Sequence, residues 1–486
     1  MSGGTPPRQF AHLFMVGIKG TGMTALAEVL HRQGVQIVGS DTNERFHTDT
    51  ILAELGIRVI ESFEADQLPD RSEAVIYSAA YDPAVHPQLR RAAELGKPVI
   101  SYPEALGELS AAQCAVGVAG VHGKTTTAAM IGTLVRELEL PGAVLVGSAA
   151  ADFGGRSTYS GGREFLVAET CEYKRHFLFF HPDILLVTGI EPDHLDYYRD
   201  MQDIQSAFDD YCRRLAVGGT LIYCADDPGA VTVCRRVAHE RPDLTVAGYG
   251  RRAEGDYRVS AVQRRAGELS FLLGDDPQPL RLHVPGEHNA LNAAAAVAVI
   301  DVLAQRFGAA ELGPPRSAAV RQAVRRALAA FRGTRRRCEV LGEAGGVLFV
   351  DDYGHHPTAI RTTLDGLRSF YPGRRLVVDF MSHTYSRTAA LLDEFARSLA
   401  AADVVVLHKI YASAREQFDG RIAGSDLAER TRRYHRDVHY VDEPMDAVGP
   451  LQRMLRRGDL FVTMGAGNNW RLGEALLAQR QREQPA

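Results

Sequence analysis

The sequence is poor in cysteine, has no excess of positive charge and lacks a long uninterrupted hydrophobic run. Its six cysteines form no C-x-x-C pair, which argues against a zinc site and a disulfide framework and indicates reduced, buried thiols. The formal net charge of -5 over 486 residues is unlike that of a dedicated nucleic-acid binder. We therefore expect a globular protein with no nucleic-acid partner.

No segment resembles a signal peptide or a membrane anchor. The first ten residues, MSGGTPPRQF, are polar. The most apolar run, HNALNAAAAVAVIDVLA, is shorter than the roughly 20 residues that a membrane-spanning helix needs. That run also contains Asn289, Asn292 and Asp301. We expect it to form a buried helix of a cytoplasmic protein that does not associate with membranes.

The order of strand-like and helix-like segments predicts an α/β fold with three domains, because a chain of this length exceeds one hydrophobic core. Apolar strands alternate with helices, which favours mainly parallel sheets. We predict a Rossmann-like N-terminal domain over residues 1–110, a central P-loop domain over 111–331 and a Rossmann-like C-terminal domain over 332–486. Within the central domain, DYRVSAVQRRAGELSFLLGD alternates like an antiparallel hairpin.

The stretch GVAGVHGKTTT lies between an apolar strand and a predicted helix and is close to a phosphate-binding loop. The usual signature is G-x-x-x-x-G-K-[ST], and here Val118 stands in the place of the first glycine. Unsatisfied N–H groups at the helix start would bind phosphate, Lys124 would contact the terminal phosphates and Thr125 would hold Mg²⁺. A glycine-rich turn without a ligand is the alternative.

Two further segments offer ligands for a metal ion at the ends of predicted strands, where open α/β sheets bind ligands. VAETCEY contains Glu169 and Glu172. GIEPDHLDYY follows the next strand and contains Glu191, Asp193, His194 and Asp196. A carboxylate and a histidine could converge on an ATP-bound Mg²⁺ ion. Asp193 and Asp196 could instead cap a helix.

The C-terminal part contains DDYGHHPT, which follows a strand and begins a helix at Pro357. Two aspartates, a tyrosine and two histidines indicate a ligand-facing corner of the sheet, although His356 could act only as a helix cap. FRGTRRR, at residues 331–337, fits phosphate contacts or a solvated linker.

The N-terminal GIKGTG has the spacing G-x-x-G-x-G, which alone is a weak signal. Asp41 comes at the end of the second strand, where an acidic group meets a ribose. This part of the chain is therefore predicted to bind a second nucleotide-like ligand, with a plain glycine turn as the alternative.

Together these segments resemble the ATP-dependent Mur ligases of peptidoglycan synthesis over nearly the whole chain. GIKGTGM, GVHGKTTT, PGEHNALNAAAA and FRGTRRR resemble family motifs, and the family loop also lacks the first standard glycine. DDYGHHPT is similar to a signature of the alanine-adding branch. Phe208 stands where later ligases of the pathway have a carbamylated lysine, which favours the same branch.

The resemblance implies a reaction. ATP phosphorylates the lactoyl carboxylate of UDP-N-acetylmuramate, the amine of L-alanine attacks the acyl phosphate, and an amide, phosphate and ADP are formed. ATP and Mg²⁺ are the implied cofactors, and the protein is expected to be a monomer or homodimer. A recycling ligase that joins a peptide to the same UDP-sugar, and a non-catalytic nucleotide-sugar sensor, remain as alternatives.

The resemblance also implies site residues. The ATP contacts would be Gly120, His122, Gly123, Lys124, Thr125, Thr126, His288, Asn289, Asn292, Arg336 and Asp351. The UDP-sugar contacts would be Gly17, Gly20, Thr21, Gly22, Ser40, Asp41, Ser78 and His122. The amino-acid contacts would be Tyr353, His355, His356 and Arg387. The metal ligands would be Thr125, Glu169 and His194, with Glu172 as the substitute for Glu169. The catalytic residues would be Lys124, His194 and His356.

The sequence departs from the family pattern near the expected amino-acid pocket. HTYSRT stands where HRYTRT is usual, so Thr384 replaces the first arginine and Arg387 keeps the second. We expect Arg387 to bind the substrate carboxylate, with help from Lys174 or Arg175. L-Alanine is the first expected substrate, followed by glycine and L-serine.

Overall fold

The structure is a computed structural model that describes residues 10–192, 197–308, 313–412, 416, 418 and 420–483. Helices and largely parallel sheets alternate along the chain, so the predicted α/β class is confirmed. The chain divides into two compact units. The first consists of Met1–Ser260, Leu272–Leu280 and Leu291–Phe331, and the second of Ala261–Phe271, Arg281–Ala290 and Arg332–Ala486. The domain boundaries near residues 110 and 331 stay a prediction.

The N-terminal sheet of the first unit is entirely parallel. Its strands are β1 (His12–Val16), β2 (Gln36–Ser40), β3 (Arg58–Ile60), β4 (Ala74–Tyr77) and β5 (Val99–Ser101). Its helices are α1 (Thr21–Arg32), α2 (Thr48–Glu54), α3 (Pro87–Glu94) and α4 (Tyr102–Ala111). The strand order β3-β2-β1-β4-β5 is the order 3-2-1-4-5-6 of a dinucleotide-binding Rossmann sheet without its sixth strand. Phe14 and Met15 point to opposite faces and are both fully buried, as expected for a parallel sheet covered on both sides.

The second sheet of the first unit has seven strands. They are β6 (Cys114–Ala119), β7 (Gly142–Ala150), β8 (Arg156–Ser160), β9 (Phe165–Glu169), β10 (Ile184–Val187), β11 (Thr220–Cys224) and β12 (Thr245–Tyr249). The helices are α5 (Lys124–Glu137), α6 (Met201–Arg213) and α7 (Pro228–Glu240). The order is β12-β11-β10-β6-β9-β7-β8, and β8 is antiparallel to β7. The loops after β6, β9 and β10 therefore emerge next to one another.

The predicted hairpin is present as neighbouring strands of a three-stranded sheet. Its strands are β13 (Val259–Arg265), β14 (Glu268–Leu273) and β15 (Leu280–Leu282). Two helices follow, α8 (His288–Phe307) and α9 (Ala318–Ala330). Among the described residues, α8 alone has the length and hydropathy of a membrane span, but 67% of its most apolar window is buried in the protein. It is the core helix that the sequence predicts.

The sheet of the second unit has six strands. They are β16 (Glu339–Ala344), β17 (Val347–Asp352), β18 (Arg375–Met381), β19 (Val404–Leu407), β20 (Val438–Tyr440) and β21 (Asp459–Gly465). The helices are α10 (Pro357–Phe370), α11 (Tyr385–Ala390), α12 (Leu392–Ser398), α13 (Gly424–Thr431), α14 (Val448–Met454) and α15 (Trp470–Glu483). The order is β16-β17-β21-β18-β19-β20, and β16 is antiparallel to β17. Leu348 and Val350 enter one hydrophobic core while Val347 and Phe349 enter the other, so helices cover both faces.

Candidate active site

The predicted phosphate-binding loop joins β6 to α5 and requires its two glycines. Gly120 has φ +126° and Gly123 has φ +82°, a region that side chains other than glycine rarely adopt. A Cβ atom at Gly120 would lie 2.8 Å from the Gly189 nitrogen. Gly123 then caps the N-terminus of α5, and a Cβ atom there would lie 2.6 Å from Asn292 Oδ1. The loop thus exposes the helix N-terminus as the motif predicts, and the fold brings Asn292 to it.

Lys124 is folded back onto its own loop and paired with Glu172. Its Nζ donates to Glu172 Oε2 at 2.9 Å and also to the Gly120 carbonyl. Only 12% of the Lys124 side chain and 3% of the Glu172 side chain are exposed. Burial opposes the charged ammonium, but Glu172 and then Glu169 outweigh it, so the pKa of Lys124 is raised. The sequence offered Glu172 only as a substitute metal ligand, and its ion pair with Lys124 was not predicted.

Thr125 and Glu169, two of the predicted metal ligands, are hydrogen-bonded to each other. The Thr125 hydroxyl donates to Glu169 Oε2 at 2.8 Å, and the Gly147 N–H donates to the same oxygen at 3.0 Å. Adjacent ligands of an octahedral Mg²⁺ ion, each about 2.1 Å from the ion, lie roughly 2.9 Å apart. The spacing of the two oxygens therefore fits a shared Mg²⁺ ion.

The other predicted metal ligand is outside the described part of the chain. His194 lies in the gap at residues 193–196, together with Asp193 and Asp196. Within the described ranges, no group of three or more histidine, cysteine, aspartate and glutamate side chains is gathered for a metal ion. Mg²⁺ that is bound together with a nucleotide often has only one or two protein ligands, and phosphate oxygens and water supply the others. Two protein ligands such as Thr125 and Glu169 are therefore compatible with such an ion.

His122 and Thr126 flank the lysine of the loop. The His122 carbonyl accepts a hydrogen bond from the Thr188 hydroxyl at 2.5 Å, and its ring Nε2 lies 3.9 Å from Glu191 Oε2. Thr126 is in the first turn of α5. This hydrogen bond attaches the loop to the segment that follows β10. His122, which the sequence predicts to contact both ATP and the UDP-sugar, is therefore held in place.

The N-terminal glycine turn, at residues 17–22, is organised by Asp41. The Lys19 N–H donates to Asp41 Oδ2 at 2.7 Å, and the Thr42 N–H donates to Oδ1 at 2.8 Å. Burial raises the pKa of Asp41, although these two N–H groups oppose the effect. Asp41 therefore supports the turn as well as lying at the predicted ribose position.

The remaining predicted UDP-sugar residues surround this turn. Gly17 has φ +77°, and a Cβ atom there would lie 2.7 Å from the Tyr81 ring and 2.9 Å from Ser78. Gly20 precedes α1, and Thr21 and Gly22 begin it. Ser40 is fully buried and donates its hydroxyl to Gln88 Oε1 at 2.6 Å, so its side chain faces the interior. Its backbone carbonyl accepts the N–H groups of Gly17 and Ile18, so Ser40 supports the glycine turn.

In the second unit, two predicted ATP contacts, Arg336 and Asp351, are hydrogen-bonded to each other. Arg336 Nε donates to Asp351 Oδ2 at 2.9 Å, and Arg336 NH2 donates to the Gly465 carbonyl at 2.7 Å. Burial raises the pKa of Asp351, while Arg336 and the Thr463 hydroxyl oppose the rise. Arg336 has φ +59°, an uncommon value for a residue other than glycine. The interdomain arginine is thus an anchored residue of this corner and not a solvated linker.

Three of the predicted amino-acid residues, Tyr353, His355 and His356, directly follow β17. The Arg336 guanidinium lies 5.0 Å from the centre of the Tyr353 ring, within cation–π range. The Tyr353 and His355 rings are 5.2 Å apart, and the His355 and His383 rings are 5.8 Å apart. His383 precedes α11, the helix that contains Arg387. The structure therefore brings the DDYGHHPT corner next to the HTYSRT segment.

His356 is a helix cap. Its Nδ1 accepts the Thr358 N–H at 3.4 Å, at the N-terminus of α10. This is the alternative that the sequence left open, and it leaves only Nε2 as a nitrogen that could take a substrate proton.

The predicted ATP contacts His288 and Asn289 lie at the start of α8. His288 Nδ1 is buried and has no hydrogen-bond partner among the described residues. Burial lowers the pKa of His288, although Asp352 opposes this effect. The Asn289 amide donates to the Pro285 carbonyl at 2.7 Å. A neutral imidazole with an unsatisfied nitrogen fits a site that hydrogen-bonds a polar ligand edge.

Phe208 and Arg175, which the sequence comparison singled out, have structural roles. Phe208 is fully buried, and its ring packs edge-to-face on Phe177 with centres 5.1 Å apart. Arg175 has φ +58° and pairs with Asp203 at 2.8 Å and Asp210 at 3.1 Å. Its guanidinium is therefore already bound by α6, which disfavours the predicted contribution to carboxylate binding.

Comparison with known proteins gives three consecutive family matches. The profile of the Mur ligase family, catalytic domain, matches residues 12–113. The Mur ligase middle domain matches residues 118–300, and the Mur ligase, glutamate ligase domain matches residues 336–467. The chain belongs to the Mur ligase family.

Individual Mur ligases match the chain end to end. A UDP-N-acetylmuramate–L-alanine ligase of Treponema pallidum is 49% identical over 98% of both chains. The crystal structure of UDP-N-acetylmuramate-alanine ligase from Thermotoga maritima covers 98% of this chain and 100% of its own, with a TM-score of 0.77 and 24% identity. A murein peptide ligase from Psychrobacter arcticus has the same coverage, a TM-score of 0.67 and 22% identity. The two crystal structures share the fold, and the first relative shares half of its sequence as well.

Proposed function

We propose that this Mur ligase joins L-alanine to the lactoyl carboxylate of UDP-N-acetylmuramate, with ATP as the energy source, in peptidoglycan precursor synthesis. The observation that carries the proposal is the 49% identity to the Treponema ligase over 98% of both chains. The loop geometry supports the ATP-dependent part, because Lys124 and Thr125 begin a helix whose N-terminus is exposed by two left-handed glycines.

Lys124 would change partners when ATP binds. Its ammonium now contacts Glu172, and a terminal phosphate would compete for the same charge. In phosphoryl transfer, a lysine in this position offsets negative charge that shifts from the phosphate to the leaving group. Glu172 therefore holds the lysine in place until a phosphate replaces it.

Thr125 and Glu169 would hold Mg²⁺, with His194 as the third proposed ligand. The 2.8 Å spacing of the two oxygens supports the first two assignments. The ion would neutralise phosphate charge during transfer. Phosphate release that persists after complete removal of divalent cations by a chelator would contradict this part of the proposal.

The amino acid would bind beside Tyr353, His355 and Arg387. Arg387 can bind a carboxylate through two parallel hydrogen bonds. His356 Nε2 or the Tyr353 hydroxyl would accept a proton from the amine. The Nδ1 cap orients the imidazole of His356, so its other nitrogen is presented in a fixed direction.

The test is phosphate release from ATP with UDP-N-acetylmuramate across a panel of amino acids, with ligation confirmed by the mass of the product. We expect release to require an amino acid and to be fastest with L-alanine. Competition with a cell-wall tripeptide tests the recycling alternative, which would be favoured if the tripeptide were the better acceptor. Absence of any amino-acid-dependent release would favour a nucleotide-sugar sensor.

Three finer expectations belong to the same proposal: Mg²⁺ as the divalent ion, a monomeric or homodimeric state and a cytoplasmic location. Light scattering of the purified full chain and fractionation of the native cells would test the last two.

A further inference from the structure

The second unit contains a fully buried ion pair that none of the roles above uses. Asp379 is near the end of β18 and His408 directly follows β19. The two side chains have no exposed surface, and His408 Nε2 lies 2.6 Å from Asp379 Oδ2. A buried pair of charges is seldom retained for stability alone, because apolar residues of similar volume are often as stabilising.

The hydrogen bonds limit the protonation states that are open to this pair. His408 Nδ1 lies 2.7 Å from the Val441 carbonyl, which can only accept, so Nδ1 carries a proton. The Asn469 amide donates to Asp379 Oδ1 at 2.8 Å and to the Met464 carbonyl at 3.0 Å. Asp379 Oδ1 therefore accepts, and one proton lies between Nε2 and Oδ2. These bonds allow that proton on either atom, and the charges around His408 favour an imidazolium paired with a carboxylate.

The surroundings support the charged form of His408. Burial opposes it, but Asp379, the Val441 carbonyl and then Glu443 outweigh burial, so the pKa of His408 is raised above 6.5. The neighbouring Lys409 directs its ammonium to Glu443, and Asn469 on the remaining side is neutral. The imidazolium thus has carboxylates as its charged partners, and the adjacent ammonium is itself paired.

The pair connects the carboxyl ends of β18 and β19, and the segment that contains Arg387 follows β18. β18 lies between β21 and β19 in the sheet, and Asn469 extends the network to the segment after β21. Immediately beyond the pair, Tyr411 N donates to the Ser382 carbonyl and Thr384 N donates to the Tyr411 carbonyl, both at 2.9 Å. The segment that leads into α11 and Arg387 is therefore attached to the segment that follows His408.

Thr384, in this attached segment, has an unfavourable backbone conformation. It has φ +65°, which is strained for a β-branched residue, and it is buried. Such a conformation persists only where the surrounding structure imposes it. The bond to Tyr411 and the anchoring of both strand ends by Asp379 and His408 supply that restraint.

We propose that Asp379 and His408 are positioning residues that hold the segment from Ser382 to Arg387 in the geometry required to bind the amino acid. This inference rests on the proposed function, because it assumes that Arg387 meets the carboxylate of the acceptor. Loss of the pair lowers the affinity for the amino acid and leaves ATP binding unchanged.

A pH dependence follows from the charge state. The imidazolium contribution to stability is fully present below pH 6.5 and is lost as the pH rises through the raised pKa of folded His408. The KM for L-alanine should therefore rise over the same alkaline range. The amine of the substrate also titrates there, so the parent profile must be compared with that of a variant that lacks the pair.

The decisive variant is the double substitution Asp379→Leu/His408→Leu, which replaces the pair with apolar volume and is expected to fold with a near-parent Tm. Its KM for L-alanine should be about tenfold higher or more, because small displacements of binding groups reduce rates strongly. Its KM for ATP should stay within about twofold of the parent value. At alkaline pH its KM for L-alanine should rise only as far as titration of the substrate amine requires.

The matched control is the ion pair of Arg375 and Asp459, which joins the opposite end of β18 to the start of β21. Arg375 Nε donates to Asp459 Oδ1 at 2.9 Å, and Asp459 is 1% exposed. Asp459→Asn should lower the Tm without changing the KM for L-alanine. If the alanine KM rose equally in this control, general destabilisation would explain the effect and the inference would be overturned.

A second variant covers the case in which the double substitution does not fold. Asp379→Asn removes one charge with little change in volume, so the alkaline rise in the alanine KM should begin at lower pH. An unchanged profile in a folded Asp379→Asn variant, or a parent-like alanine KM in the double variant, overturns the inference. If the parent itself shows no alanine-dependent phosphate release, the proposed function fails first, and the two failures are distinguished.

Discussion

The Lys124 ammonium lies 2.9 Å from Glu172 Oε2, at the N-terminus of α5, and both side chains are almost completely buried. The lysine that we propose as a phosphate contact therefore has a protein carboxylate as its partner. Removing the lysine alone takes the ammonium away from the buried Glu172, and loss of one partner of a buried ion pair is typically destabilising by about 3–5 kcal/mol. Activity and stability must be separated in any test of this residue.

We predict that Lys124→Ala lowers the rate of ligation by about 10²- to 10³-fold, because one electrostatic contact to the transferred phosphate is lost. It should also lower the Tm, since Glu172 is left without the ammonium. The double variant Lys124→Ala/Glu172→Gln should regain the Tm but not the activity. Near-parent turnover in either folded variant would refute the assignment.

Thr125→Val should raise the Mg²⁺ concentration needed for half-maximal phosphate release by about 10- to 100-fold, because a hydroxyl ligand is replaced by a methyl group. Thr125→Ser retains the hydroxyl and is the matched control. Mg²⁺ titrations of the initial rate make the comparison. Equal Mg²⁺ requirements in the valine and serine variants would contradict a metal role for Thr125.

Asp41→Ala should weaken binding of UDP-N-acetylmuramate by about tenfold or more and leave ATP affinity nearly unchanged. The carboxylate accepts the N–H groups of Lys19 and Thr42, so its loss disturbs the glycine turn as well as the ribose position. Asp41→Asn keeps one acceptor oxygen and should have a smaller effect. Separate titrations of the two ligands measure this, and equal losses for both would mean that the turn is not a separate UDP site.

Arg387→Ala should raise the KM for L-alanine by about 10- to 100-fold, since charge-assisted hydrogen bonds to the carboxylate are lost. The KM values for ATP and the UDP-sugar should stay close to those of the parent. Arg387→Lys should recover only part of the loss, because an ammonium lacks the planar pair of donors. A variant without Arg387 that uses L-alanine as well as the parent would place the carboxylate partner elsewhere.

The local motifs were predictable because each is encoded within a short stretch of chain. The glycines of the phosphate loop, the lysine and threonine that follow, and the apolar strand before them are contiguous, and the structure has them as a strand, a left-handed turn and a helix. The acidic end of β9 was predictable for the same reason. The sequence could not decide whether Glu169 or Glu172 faces Thr125, because that depends on the path of the chain after Glu169.

Several contacts could not be predicted because the partners are distant in the sequence. Glu172 pairs with Lys124 across two neighbouring strand ends. Ser40 turns inward to Gln88, and Arg175 is bound by α6. His356 could have been a cap or a ligand on sequence grounds, and its bond to Thr358 establishes the cap.

The sequence by itself determined the α/β class and the glycine turn between β6 and α5, since alternating apolar segments and glycine spacing are local properties. Only the tertiary structure decided which charges meet. Asp379 and His408 each appear in the sequence as one polar residue at the end of an apolar strand. They become an ion pair because the sheet order places β18 beside β19 in a parallel register that aligns their carboxyl ends. Burial then forces each charge to find a partner, since an isolated charge in the interior is far more costly than a paired one.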